Sequence, residues 1–538
     1  MITTIKLFFQ NSIENIILNN FENKFVIQLD KFKYLNLNSF DIEITFNQEI
    51  DSIRTHDYKW KKNKEQLIAP MFTPKIIKLK NGFYVQPNIQ EGIWEFNPKY
   101  KNRILWRFNP ENANWLTKYS GNKNEKILYS AQNFFTFNKE IALLFSDKNA
   151  LEFSRSPIAF SAVACFTDHC DFDTLKNLKS QRLFFEENKI KVTKGFFLNH
   201  FSKRDDNASF ENNREELLKW EKDGHELCYH SLSQSIKNSI ISFEDFKTFK
   251  PPIKTMPTWI DHGYQPYNLS LFQNSGIEEK NYVAILKKNN IQNLWNYIDS
   301  GTSTLGVINQ LNSNDFTLKS YFEGIKNLDI KDKIALKIKI ILFHFYADEL
   351  MIMKYKSLSK RFKKFVINKN IKELLFFLKN LISIIIPLLK VFLFWNSVKN
   401  KPFKLAKYSP LVFKHKIQDS EFNIFQTIEM VDFKKSLHKK NIDKLIEEKG
   451  LFIAHTYFSV PMEYHFGKLF KSPSIIDQEV AQNFSYLSKK IQDKSIWNPS
   501  LNELILFINK FENITLDLDK SGKIFNLNQT DLPFREIY

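Results

Sequence analysis

Cysteine is nearly absent. Cys165, Cys170 and Cys228 are too few and too irregularly spaced for a disulfide framework or a CxxC zinc site, which fits a reducing compartment. The amino terminus lacks an uninterrupted apolar stretch, since Gln10, Asn11, Glu14 and Asn15 break it, and no small-residue cleavage site follows. The expectation is therefore a cytoplasmic protein without a standard secretory signal. Glycine is also scarce, at 13 residues against 53 phenylalanines. Lys, Asn, Ile and Phe are abundant along the whole chain, so the net charge of +18 reflects a general bias rather than one basic face. No nucleic-acid motif accompanies that charge, and no nucleic-acid partner is expected.

What is present divides into five stretches. A chain of 538 residues exceeds one ordinary core. Residues 1–150 carry short alternating runs such as KFVIQLD and FDIEITF, the pattern of a β-rich domain. Its aromatics Trp94, Phe96, Trp106, Phe108 and Trp115 suit either sheet core or a sugar-stacking surface, with core the commoner use. Residues 151–310 alternate strand and helix, the texture of a parallel sheet or barrel. Residues 311–440 look like a long, basic helical insertion. The strand KGLFIAHTYFSV resumes the alternation over 441–515, and 516–538 form a β-type tail around Ser521 and Gly522.

Three strand ends carry polar groups suited to hydrolysis. FTDHCDFD packs Asp168, His169, Asp171 and Asp173 just past an apolar run. GHELCYHSLSQS brings His225 and His230, and GLFIAHTYF brings His455. In parallel α/β folds such positions converge at the carboxyl ends of the strands. A single histidine of this kind is most often structural, but three strand ends in series point to a metal-assisted site.

These segments together resemble the NodB-homology polysaccharide deacetylases, family four of the carbohydrate esterases. CFTDHC is similar to that family's TFDDG, GHELCYHSLSQ to GHEIGNHTxxH, LFIAH to its late LxH, and KVTKGFFL to the strand written KATFFV. The resemblance implies a distorted (β/α) barrel preceded by the β-rich domain and interrupted by the insertion. It also implies metal-dependent deacetylation of an N-acetylated carbohydrate, either free or lipid-linked. Zinc is the first choice of ion, with cobalt or nickel as alternatives. Asp168 then matches the base that activates water and His455 the acid that protonates the leaving amine. His230 matches the first metal histidine.

The chain departs from the family at several positions. His169 stands where the metal-binding aspartate is expected, leaving His169 or Asp171 as the ligand. Gln234 stands at the second metal histidine, and an amide oxygen is the weaker ligand. The arginine of the third motif has no counterpart between Arg214 and Arg361. TWIDHGYQ lies there instead, offering His262 as a ligand and Asp261 and Trp259 as substrate contacts, or a polar loop packed under Trp259. Cys170 and Cys228 flank these positions and read as buried structural thiols. A rival expectation is a barrel that has lost its chemistry and serves as a glycan-binding or assembly module at the membrane.

The insertion carries eight cations from Lys354 to Lys372 with no acidic residue among them. The apolar LLFFLKNLISIIIPLLKVFLFW follows at once. At 100° per residue Lys372, Lys379, Ser383, Lys390 and Ser397 fall within about 40° of one another. A narrow polar stripe on an apolar helix suits lying in a membrane interface with the lysines reaching outward. The expectation is therefore peripheral attachment to the anionic inner face of the cell membrane, against a plain buried helix.

Overall fold

The computed structural model describes the whole chain except residues 10–11, 17, 30–38, 109–113, 121–124, 131–138, 203–206, 236, 263–277, 304–307, 327–328, 370, 409–410, 431 and 460–468. Mixed α/β structure surrounds a closed barrel of seven parallel strands. In chain order they are β1 (Ala162–Asp168), β2 (Thr193–Phe196), β3 (Glu226–Tyr229), β4 (Thr258–Ile260), β5 (Asn293–Thr302), β6 (Ser420–Glu429) and β7 (Leu451–Thr456). Each pairs with the next, and β7 closes on β1 with Thr167 opposite His455.

Burial explains the composition of these strands. Every residue of β1, AVACFTD, is buried, as are all six of β7, LFIAHT. A parallel strand covered on both faces reads as a continuous apolar run, and the polar residues gather at its carboxyl end. Helices α1 (Leu175–Glu187) and α2 (Phe210–Lys222) pack on the outside, each started by a side chain that accepts a backbone N–H, Thr174 and Ser209 respectively. Gly195 in β2 is required by close approach: a Cβ there would stand 2.5 Å from the Asp168 carbonyl oxygen and 3.3 Å from His230 Cβ.

The insertion ends earlier than expected. Ser420–Glu429 is a barrel strand, paired with β5 on one side and β7 on the other, and Val412–Ile417 forms an antiparallel hairpin with it. The expected boundary at 440 is thus corrected, because the mixture of Phe and Ile with polar residues in β6 matches that of the helices before it. Two of those helices, α3 (Glu349–Asn368) and α4 (Ile371–Leu393), form a hairpin. The π-helical turn Ile340–Tyr346 roots it on the barrel, with His344 Nε2 2.8 Å from Thr302 Oγ1 at the end of β5.

Ahead of the barrel lie two antiparallel sheets of six and seven strands. Trp94, Phe96, Trp106 and Phe108 are at most 3% exposed and sit in the apolar layer between them, so this cluster is sheet core and not a sugar-stacking surface. After the barrel, α5 (Leu501–Asn509) starts with a reciprocal cap between Ser500 and Glu503. The tail forms the hairpin Leu516–Leu518 with Ile524–Asn526.

Candidate functional site

The carboxyl ends of the barrel strands bring together residues that are distant in the chain. Asp171 lies on the loop after β1, His230 follows β3, and His262 follows β4. The Asp171 carboxylate faces an imidazole on each oxygen: His230 Nε2 is 3.1 Å from Oδ2 and His262 Nε2 is 3.2 Å from Oδ1. All three ligand atoms lie within 4.8 Å of one another. Asp171 and His230 are buried, and His262 is half-buried.

The donor chemistry of this group fits a cation. His230 Nδ1 faces the Ile260 carbonyl oxygen at 3.3 Å, so the ring proton belongs there and Nε2 turns a lone pair toward Asp171. Two lone pairs at that distance repel unless a proton or an ion lies between them. Burial pushes the His230 pKa below its ordinary value against the pull of Asp171, which disfavours a second proton. Burial also works against the charge of Asp171, yet His262 and His230 hold it well below the usual carboxylate range. One carboxylate and two imidazoles form a donor set that a divalent ion satisfies.

Beside this group stands a second pair. His455 on β7 directs Nδ1 at both oxygens of Asp299 on β5, at 3.1 and 3.2 Å. Thr427 holds Asp299 in turn, donating to Oδ1 at 2.6 Å, and Trp295 Nε1 donates to Thr427 at 2.9 Å. Burial lowers the His455 pKa, but Asp299 outweighs it and the net shift is upward. The ring is therefore inclined to carry a proton on Nε2, an atom with no hydrogen-bond partner among the described residues.

His169 lies between the two groups. Its ring is 4.0 Å from that of His455 and 4.8 Å from that of His230, centroid to centroid. Both of its nitrogens are buried without a hydrogen-bond partner among the described residues. Burial, followed by His455 and His230, holds its pKa well below the ordinary value, so the ring is neutral.

Asp168 occupies a different environment. It is 1% exposed, forms an ion pair with Lys194 through Oδ2, and accepts the Phe458 N–H at 3.1 Å through Oδ1. Lys194 also pairs with Asp173, which Ser459 and Gln181 hold at 2.6 and 2.8 Å. Burial pushes the Asp168 pKa up to about 6, opposed by Lys194. Both of its oxygens are thus committed inside the protein, a poor arrangement for a base acting on water.

The remaining candidates are dispersed. Gln234 accepts a hydrogen bond from Ser202 through Oε1. Trp259 is 1% exposed, its ring 5.1 Å from Tyr229 and 5.9 Å from Phe249, which makes it core rather than substrate surface. Asp261 is buried at the end of β4, its N–H donating to the Trp295 carbonyl at 3.2 Å. Gly263, Tyr264 and Gln265, the rest of that loop, lie outside the described residues. Cys170 and Cys228 are buried thiols whose pKa values burial pushes well up. Asp299 and Lys194 were not singled out by the sequence reading. Asp299 ends the apolar run NLWNYID, a strand-end pattern like the three that were recognised. Lys194 gave no comparable signal, since a lysine in KVTKGFF reads as solvated.

The chain matches no protein-family model, and no curated protein is similar to it.

Proposed function

We propose that this protein is a metal-dependent hydrolase of the deacetylase type, acting on the N-acetyl group of a saccharide, with zinc as the first choice of ion. The observation that supports it best is the Asp171, His230 and His262 group standing beside the His455–Asp299 pair at one end of the barrel. When bound, a divalent ion supplies charge that polarises an acyl carbonyl and acidifies water. Asp171, His230 and His262 would hold it. His455 carries the proton on Nε2 that an amine must receive to leave, and Asp299 fixes the ring so that this proton points away from Nδ1. His169 contributes a neutral ring nitrogen next to both groups. The NodB-like identity of the barrel belongs to this reading and supplies the amide substrate class.

A second reading, a glycan-binding barrel without catalysis, draws on the commitment of Asp168 to Lys194. Elemental analysis of the purified protein, together with acetate release from N-acetylglucosamine oligomers, separates the two. One equivalent of metal and measurable acetate, both lost in His230→Ala, is the expected result. Glycan binding without acetate release from the metal-loaded protein would favour the second reading and overturn the first.

A further inference from the structure

We infer that the α3–α4 hairpin docks in the plane of an anionic lipid bilayer, with α4 immersed along one apolar face and the lysines around it in contact with the headgroups. This inference rests on the hairpin alone and not on the chemistry of the barrel.

Helix α4 is long and apolar enough to cross a membrane, yet only 11% of its most apolar stretch is buried in the protein. Three faces divide its circumference. The first is committed to the protein: Ile384 and Val391 are 4% and 1% exposed, and Ile384 packs against Leu342 and Leu358. Tyr346 donates a hydrogen bond to the Pro387 carbonyl at 2.8 Å on the same side. The second face is apolar and open. Ile371, Leu375, Leu378, Ile382, Leu389 and Leu393 are each 50–78% exposed. At 100° per residue they fall within about 60° of one another. The third face carries Lys372, Lys379 and Lys390, all exposed, roughly 90° from the centre of the apolar one.

This order does not suit a helix packed inside the protein, because the described residues leave the second face open. It also argues against a span, since a crossing helix would have to leave its contacts at Ile384 and Val391 and carry Lys379 and Lys390 through hydrocarbon. A bilayer surface meets all three faces at once: the body of the protein on one side, acyl chains on the next, and lysines at headgroup depth on the third. The tip of the hairpin repeats the arrangement. Phe362, Val366 and Ile367 are 45%, 57% and 77% exposed there, among exposed Lys360, Lys363, Lys364 and Lys369. Arg361 is not part of this surface. It pairs with Glu373 at 2.9 Å and lies over the Phe376 ring at 3.6 Å, so it joins α3 to α4. The charge complements an anionic leaflet, which chooses lipid over a neutral apolar partner.

Flotation of the full chain with vesicles tests this. Phosphatidylcholine vesicles containing phosphatidylglycerol are expected to bind it, and phosphatidylcholine alone is expected to bind it far less. Lys360→Gln, Lys363→Gln and Lys364→Gln together should weaken binding about a hundredfold, and added salt should act in the same direction. Ile371→Gln, Leu375→Gln and Ile382→Gln together should weaken it roughly a hundredfold or more, because the face inserts. These residues are exposed, so thermal unfolding should be unchanged, which separates a docking defect from a folding defect. Binding indifferent to both sets of substitutions overturns the inference. So does a dimer in sedimentation that the Gln substitutions on α4 dissociate, since a second copy would then cover the face. Attachment that resists high salt and yields only to detergent would mean a span and overturn it likewise.

Discussion

His262 Nε2 lies 3.2 Å from Asp171 Oδ1, across 91 residues of sequence. This contact gives the ligand group its second imidazole, the role expected at position 234, where Gln234 instead accepts a hydrogen bond from Ser202. His262→Ala is expected to lower zinc affinity at least about 100-fold, beyond the 10–100-fold that loss of a supporting outer partner costs. Gln234→Ala should leave it unchanged. Competition with a chromophoric chelator measures both, and equal losses would place Gln234 in the ligand set.

Burial works against the charge of His455, but the Asp299 carboxylate beside it raises its pKa above the ordinary value. If the protonated ring is the acid, activity falls as pH rises through its pKa, and Asp299→Asn should move that alkaline limb to lower pH. His455→Ala should lower kcat by about 10²–10⁴-fold, the range of a general acid. A pH–rate profile of Asp299→Asn with the same alkaline limb as the parent would remove Asp299 from this role.

Lys194 neutralises two buried carboxylates, Asp168 and Asp173. Lys194→Met leaves both charges without their cation and should cost about 3–5 kcal/mol of stability, the range for breaking a buried ion pair from one side. Denaturant unfolding measures it. If the three groups are only a structural knot, replacing Asp168 and Asp173 with Asn alongside Lys194→Met should recover much of the loss.

His225 accepts the Val192 N–H on Nδ1 at 3.2 Å, with its ring against Trp220. Burial pushes its pKa from 6.5 to about 4, with Lys191, Arg182 and Lys194 adding to the shift and Asp223 opposing it. The folded pKa is below the unfolded one, so this group costs nothing above 6.5. As pH falls from there toward about 4, the unfolded chain takes up a proton that the native state refuses. The loss is about 1.4 kcal/mol per pH unit, or about 2 kcal/mol at around pH 5. His225→Asn keeps an acceptor for Val192 and removes the titration. The difference in unfolding free energy between neutral pH and about pH 5 should shrink by that amount, and an unchanged difference would assign the acid sensitivity elsewhere.

The barrel and its polar end were legible because parallel strands announce themselves chemically. AVACFTD and LFIAHT are apolar throughout, since both faces are buried, and their polar residues come at the end where the site lies. His230, Asp171 and His455 could be read from this alone. The strand Ser420–Glu429 could not, because its alternation of Phe and Ile with polar residues looks like the helices that precede it.

Sequence alone determined which residue types gather at strand ends, the narrow lysine stripe of α4, and the scarcity and irregular spacing of cysteine, because each of these is a local pattern along the chain. Tertiary structure decided which of the gathered residues meet. Asp171 rather than Asp168 faces the imidazoles because Lys194, one strand over, captures Asp168 below the barrel rim. His262 joins the group because β4 pairs with β3, which places the second residue after Ile260 beside the one after Tyr229, their rings 4.9 Å apart. The reason is general: a carboxylate or imidazole is a ligand, a base or half of an ion pair according to the neighbours that desolvate and charge it, and barrel closure brings those neighbours from strands far apart in sequence.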